Sequence, residues 1–161
     1  MSDARVELRA ITDDDHDFLY RVYASTREEE LAPVPWSDEQ KEAFLRFQYD
    51  AQHKYWQEHY ADAAYDLVVI DGEPAGRFYV DRRGDEIRVV DVALLPAHRG
   101  RGVGGRLMRR VMEEAAGRGV PVRIHVEQEN PAMRLYDRLG FVRVDTYGVY
   151  HLMEWRPGAD D

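Results

Sequence analysis

Residues 87–95 form a long apolar run with one acidic residue, Asp91, near the middle, and Pro96 closes it. Glycines at 100, 102, 104 and 105 then lead into Leu107, Met108, Val111, Met112 and Ala115, apolar at helical spacing, and Gly117 and Gly119 end that stripe. A second apolar run occupies residues 120–126. Two strands joined through a helix cannot form a hairpin, so this pair is predicted to be parallel with a right-handed crossover. That unit demands an α/β fold.

The rest of the chain is predicted around it. Val6, Leu8 and Ala10 alternate with Glu7 and Arg9, the period of a half-buried strand over residues 6–11. Thr12 and the acidic Asp13, Asp14 and Asp15 suit a helix start, and Phe18, Leu19, Val22 and Tyr23 continue a helix to about residue 30. Pro33 and Pro35 interrupt it. Ser37 with Gln40 makes a capping box that opens a second helix, carrying Phe44, Phe47, Tyr55 and Trp56 as far as His59. Residues 65–70 and 75–80 read as strands turned by Asp71-Gly72, and Arg83-Gly84-Asp85 turns the chain again. Asn130-Pro131 opens a short helix with Met133, Leu135 and Tyr136 that ends at Gly140, and residues 141–144 and 149–155 form a terminal hairpin. Hairpins join most neighbours, so the sheet is expected to be mixed and mostly antiparallel, in one domain spanning residues 1–161.

Composition removes several classes. With 44% hydrophobic and 33% charged residues the chain is globular, and no apolar run nears the roughly 20 residues of a membrane span. Asp3, Arg5, Glu7 and Arg9 break up the first residues, so a secretory leader is not expected and a cytoplasmic location is. The absence of cysteine excludes disulfides, thiol catalysis and thiolate metal sites. His53 and His59 stand too far apart on one helix to grip a metal together, and His125 with Glu127 lacks the cysteines of a zinc deaminase, so no metal is expected. The net charge of −9 disfavours a nucleic-acid backbone as ligand. The bases are nevertheless concentrated: Arg99, Arg101, Arg106, Arg109 and Arg110 fall within a stretch without acidic residues. Such a run is either a solvated face or the surround of a small anion.

The interleaved glycines favour the anion. A glycine-rich loop at the mouth of a helix presents unpaired N–H groups and the positive end of the helix dipole, and lets the backbone approach a pyrophosphate. Two patterns overlap there. Gly100-x-Gly102-x-x-Gly105 fits a dinucleotide fingerprint, but that motif follows the first strand of its fold and precedes an acidic ribose ligand by about 20 residues. Here three strands and two helices come first and the expected position holds residues 120–123, so a nicotinamide-dependent oxidoreductase is the weaker reading. The few lysines, Lys41 and Lys54, exclude a P-loop.

The other pattern, Arg99-x-x-Gly102-x-Gly104, resembles the acetyl-CoA loop of the GCN5-related N-acetyltransferases (GNAT). Leu8-Arg9-Ala10 with Thr12, residues 91–105, and the block from Val126 through Asn130, Ala132, Leu135-Tyr136 and Leu139-Gly140-Phe141 all resemble that family in order. The resemblance implies a GNAT-type sheet whose parallel pair splays apart to receive the pantetheine arm. Val92, Ala93 and Leu94 would pair with that arm. The loop of Arg99, Gly100, Arg101, Gly102, Val103, Gly104 and Gly105 would hold the pyrophosphate, and Asn130 would touch the cofactor near its reactive end. Acetyl-CoA would be the acyl donor and an amine of a small molecule or peptide the acceptor. Neither nucleic acid nor membrane is expected as a partner, and a homodimer is left open.

Acetyl transfer to an amine needs a base, an oxyanion donor and a proton for the leaving thiolate. The resemblance implies Tyr136 as the acid, although its spacing from Asn130 is one residue shorter than is usual in the family; without the resemblance it reads as a buried aromatic. The resemblance also puts the oxyanion donor at a backbone N–H near Ala93. For the base His125, Asp91 and Glu127 stand as alternatives beside a water relay. Arg123, His125 and Glu127 share one strand face, either as a functional row or as a histidine flanked by an ion pair. The first helices and their connecting loop would line the acceptor pocket, with Tyr23, Trp36, Phe44 and Tyr49 as equally good core residues. A cofactor-binding module without turnover is the alternative to an enzyme.

Overall fold

The computed structural model describes residues 4–128 and 130–158. Seven strands make one sheet in the order β1-β2-β3-β4-β5-β7-β6. β1 (Val6–Ala10), β2 (Ala64–Ile70), β3 (Glu73–Arg82) and β4 (Ile87–Leu94) run antiparallel to one another. β4 and β5 (Val122–Glu127) are parallel, and β7 (Tyr150–Trp155) pairs antiparallel with both β5 and β6 (Val142–Tyr147). The predicted mixed sheet with one parallel pair is therefore what forms. Among the described residues no helix is long and apolar enough to cross a membrane.

Helices cover both faces. α4 (Val103–Arg118) buries Val103, Leu107, Met108, Val111 and Ala115 against Ile87, Val89, Val122 and Ile124. Fully burying one such side chain contributes about 1.5–3 kcal/mol, which makes this stripe the main reason the crossover helix stays on the sheet. Gly117 lies inside α4 rather than ending it, and Gly119 caps the helix. On the opposite face α1 (His16–Ser25) and α3 (Asp38–His59) pack Leu19, Tyr20, Tyr23, Leu45 and Tyr49 over Leu67. The capping box at Ser37 and Gln40 forms as predicted. The expected single helix up to residue 30 is instead divided: after α1 comes a turn at residues 26–27 and then the one-turn α2 (Glu28–Leu31). A short α5 (Met133–Arg138) precedes the terminal hairpin.

One irregularity shapes the centre. Tyr79 faces Asp91 while the next residue of β3, Val80, faces Val89, so Val90 is an extra residue bulged out of β4. The bulge resets the alternation. Ile87 and Val89 face α4 before it, and Val92 and Leu94 pack on the same core after it. Asp91 is thereby moved to the face of α1 and α3, where β3 places Arg77. Gly76, opposite Leu94, permits the close approach of β3 to this part of β4, since a Cβ there would collide with Ala93 O.

Beneath α1 and α3 the His53 ring lies stacked along Tyr49 and edge-on to His16, with centroids 6.1 and 5.1 Å away. Burial, then the neighbouring His16 and Arg77, push its imidazole below the ordinary value of 6.5. The unfolded chain binds a proton near that ordinary value while the folded chain resists it, so stability present at neutral pH is lost as the pH falls below 6.5. His53→Gln is expected to flatten the fall in urea midpoint between pH 7.5 and pH 5; an unchanged slope would remove His53 as its source.

Candidate active site

β4 and β5 are paired at three positions only, Ile87 with Val122, Arg88 with Arg123 and Val89 with Ile124. Beyond the bulge the two arms diverge, leaving Val92 to Leu94 and His125 to Glu127 unpaired with each other. Leu95 N–H bonds to Ala75 O at 2.8 Å, and strand alternation turns Ala93 the same way, toward β3. Val92 and Leu94 therefore turn their N–H and C=O groups away from β3, the Leu94 carbonyl meeting Arg99. Of the three residues expected to offer backbone groups, Val92, Ala93 and Leu94, it is Ala93 whose N–H and C=O turn to β3.

The glycine loop lies at the end of the β4 arm. Gly100 and Gly102 adopt φ values of 73° and 79°, and Gly102 caps the N-terminus of α4. The first bond into that helix runs from Arg106 N to Gly102 O. Among the described residues, no N–H from Gly100 through Gly105 has a protein acceptor. Successive donors turned outward at a sixteen-residue helix's positive end form a cradle for a phosphate group. Leu135 of α5 packs on this first turn, within 3.6 Å of where a Cβ on Gly104 or Gly105 would lie.

The arginines are not spent as their clustering suggested. Arg106 and Arg110 donate to Ala4 O at 2.8 Å and Val6 O at 3.0 Å, tying α4 to the chain's first strand. Arg99 keeps its backbone in the loop but turns its side chain away, donating to Leu94 O at 2.9 Å and Ser25 Oγ at 3.2 Å. Arg101 is exposed at the loop. The anion cradle is thus mostly backbone.

Two of the candidate catalytic side chains stand on α5 and β4. Tyr136 is 3% exposed beside Phe141, and burial, reinforced by the charge of Asp91, pushes its phenol well above the ordinary value. It is therefore protonated at neutral pH and able to donate. Asp91 Oδ2 accepts from Arg77 Nε at 2.6 Å. Arg77, its side chain 4% exposed, also donates to Gln52 Oε1 and lies over the rings of Tyr23, Trp56 and Tyr79. A buried guanidinium persists only when paired, and here a carboxylate, an amide and three aromatic faces compensate it. The sequence reading missed Arg77, although it is the lone charged residue of the run 75–80, as Asp91 is the lone acid of the run 87–95.

His125 lies elsewhere. Its Nδ1 is 3.4 Å from Arg88 and its ring is 5.9 Å from that of Tyr147; burial and the Arg88 charge lower its pKa. Among the described residues no hydrogen bond or ring contact joins it to Asp91 or Tyr136. The suspected row dissolves into separate pairings, since Arg123 binds Glu86 and Glu154 while Glu127 binds Arg27. Asn130 is exposed and its Oδ1 accepts from Ala132 N at 2.9 Å, starting the turn into α5. Tyr23 and Tyr49 are core residues, whereas Trp36 and Phe44 form an exposed edge-to-face pair.

The acetyltransferase (GNAT) family profile matches residues 17–141. The chain belongs to that family and is an acetyltransferase. No curated protein is significantly similar to it in sequence. Among solved structures it resembles the PaiA N-acetyltransferase of Thermoplasma acidophilum in complex with coenzyme A, at 19% identity and a TM-score of 0.71 over 94% of this chain and 99% of that one. PH1933 of Pyrococcus horikoshii follows at 17% identity and 0.70, over 97% and 99%. Arabidopsis thaliana Naa50, in complex with a bisubstrate analogue, matches at 19% and 0.60, over 93% and 97%.

No atom lies within 4 Å of where a Cβ on Gly102 would stand, so a side chain there meets strain from its φ rather than a clash. Gly102→Val is expected to cost about 1–2 kcal/mol in stability and to weaken coenzyme A binding at least tenfold by calorimetry. Unaltered affinity in a folded variant would remove the loop from the cofactor site.

Proposed function

We propose that the chain transfers an acetyl group from acetyl-CoA directly to a primary amine of a small molecule or peptide, with both substrates bound together. The observation that carries this reading is the run of free N–H groups at Gly100 through Gly105 beside a strand gap. The gap and cradle fit the cofactor: an extended arm can pair with Val92 and Leu94 while a pyrophosphate takes the donors of the loop. The PaiA structure, in complex with coenzyme A, supports the same ligand. Acetyl-CoA, when bound, supplies an activated thioester carbonyl.

The chain's own residues supply the rest. Val92 or Leu94 N–H, unengaged by β3, would stabilise negative charge developing on the carbonyl oxygen. Tyr136 would hold its proton at neutral pH and deliver it to the leaving sulfur. Asn130, capping the turn before α5, would orient that helix and offer its amide nitrogen to the cofactor. The charge of Asp91 helps to keep the Tyr136 phenol protonated, and Asp91, with one oxygen held by Arg77, would receive the incoming amine. His125, neutral above its lowered pKa, would serve as base only through intervening water, given its place beside Arg88.

Acetyl-CoA in excess is expected to raise the unfolding temperature while NAD leaves it unchanged, because a ligand bound only by the folded chain stabilises it by mass action. Tyr136→Phe should lower kcat by about 10²- to 10⁴-fold, the usual contribution of a general acid, with coenzyme A affinity nearly intact. Equal rates in the two proteins would exclude Tyr136 as the acid. Cofactor binding with no turnover across a panel of amines would instead favour a binding module.

A further inference from the structure

The turn between α1 and α2 is fastened to opposite arms of the splayed strand pair. On the β4 side, Arg99, itself held by Leu94 O, donates to Ser25 Oγ. On the β5 side, Arg27 donates to Glu127 Oε1 at 3.2 Å, while its other amino nitrogen donates to Glu30 Oε1 at 3.0 Å. The Arg27 guanidinium also lies 5.6 Å from the centre of the Tyr23 ring. Glu127 is the last residue of the β5 arm and faces the same side of the sheet as Asp91. Residues 25–27 thus cross the gap on the side opposite α4.

The β5 fastening is the charged one, an ion pair, whereas the β4 fastening ends on a neutral hydroxyl. The Arg27 and Glu127 side chains are 24% and 38% exposed, so the pair is reached by solvent and by any dissolved cation that enters the gap. It also leaves a carboxylate at the mouth of the gap that is satisfied by the protein's own cation. A molecule arriving as an ammonium ion can replace that guanidinium charge for charge: Glu127 stays paired and Arg27 retains Glu30. An uncharged molecule of the same shape offers no replacement and would leave a carboxylate without a partner.

We propose that Arg27 and Glu127 form a cation-exchange gate, in which Glu127 selects acceptors that arrive as ammonium ions and residues 25–27 are the part that moves. Its purpose rests on the acetyl-transfer reading; its opening can be observed without any turnover.

Hydrogen exchange of the amides of residues 24–32 tests it, with n-butylammonium and butan-1-ol compared at equal concentration and ionic strength. Butylammonium should speed exchange several-fold in the wild-type protein and butanol should not, while Glu127→Gln should exchange fast with either. In turnover of an alkylamine, Arg27→Gln should lower KM several-fold more than it alters kcat, and Arg27→Lys should restore the wild-type KM. Butanol acting as well as butylammonium, or Glu127→Gln exchanging at the wild-type rate, overturns the gate whether or not any amine is acetylated. A butylammonium response in a protein that acetylates no amine would uphold the gate and remove the transfer reading instead.

Discussion

Val90 is one residue too many for the pairing of β4 with β3, and the site is arranged around that surplus. Without the bulge, strict alternation would carry Asp91 and Ala93 toward α4 and leave Val92 and Leu94 on the other face. An unpaired carboxylate in that apolar core would cost several kcal/mol. With it, the apolar residues on both sides of the bulge reach one core, and Asp91 meets Arg77 instead. The same local bend coincides with the end of pairing between β4 and β5 just after Val89. The opening is therefore produced by backbone register, and Gly76 keeps β3 close enough to support the arm that diverges.

Arg77 connects this geometry to the helices of the opposite face. Its guanidinium reaches Asp91 on β4 and Gln52 on α3, and lies over Tyr23 from α1. Such a group tolerates burial only while all of these partners remain in place. Helices α1 and α3 are in this way keyed to Asp91, whose charge is felt at Tyr136, and the turn that follows α1 inherits a defined position over the gap.

The parallel unit was readable in the sequence because its signals are local: apolar runs of strand length, a helical stripe and glycines where the backbone needs positive φ. The role proposed for the loop was read from the same glycines. Three features had no local mark. Val90 sits in a Val-Val pair that reads as ordinary strand, and only the pairing with β3 makes it a bulge. Thr26 and Arg27 carry no glycine or proline, and the break after α1 occurs where Ser25 and Arg27 hold distant residues. The resemblance named Val92, Ala93 and Leu94 together, and which of them turn away from β3 follows from strand alternation only once the partner strand is known. His125 was singled out for its chemistry, but its neighbours are Arg88 and Tyr147 rather than Asp91 and Tyr136.

The two guanidinium groups that leash α4 to the first strand bear on how the cradle behaves. Arg106 and Arg110 look from their positions like phosphate ligands, yet backbone carbonyls of residues 4 and 6 engage them, and Arg99 is engaged by Leu94. Attraction for a phosphate then comes mainly from fixed amide dipoles at contact distance rather than from mobile charges around the rim. Dissolved ions screen the long reach of side-chain charges and act little on donors that touch their ligand. A cradle built this way would keep its grip across a broad range of ionic strength, in a protein whose net charge of −9 would otherwise repel an anion.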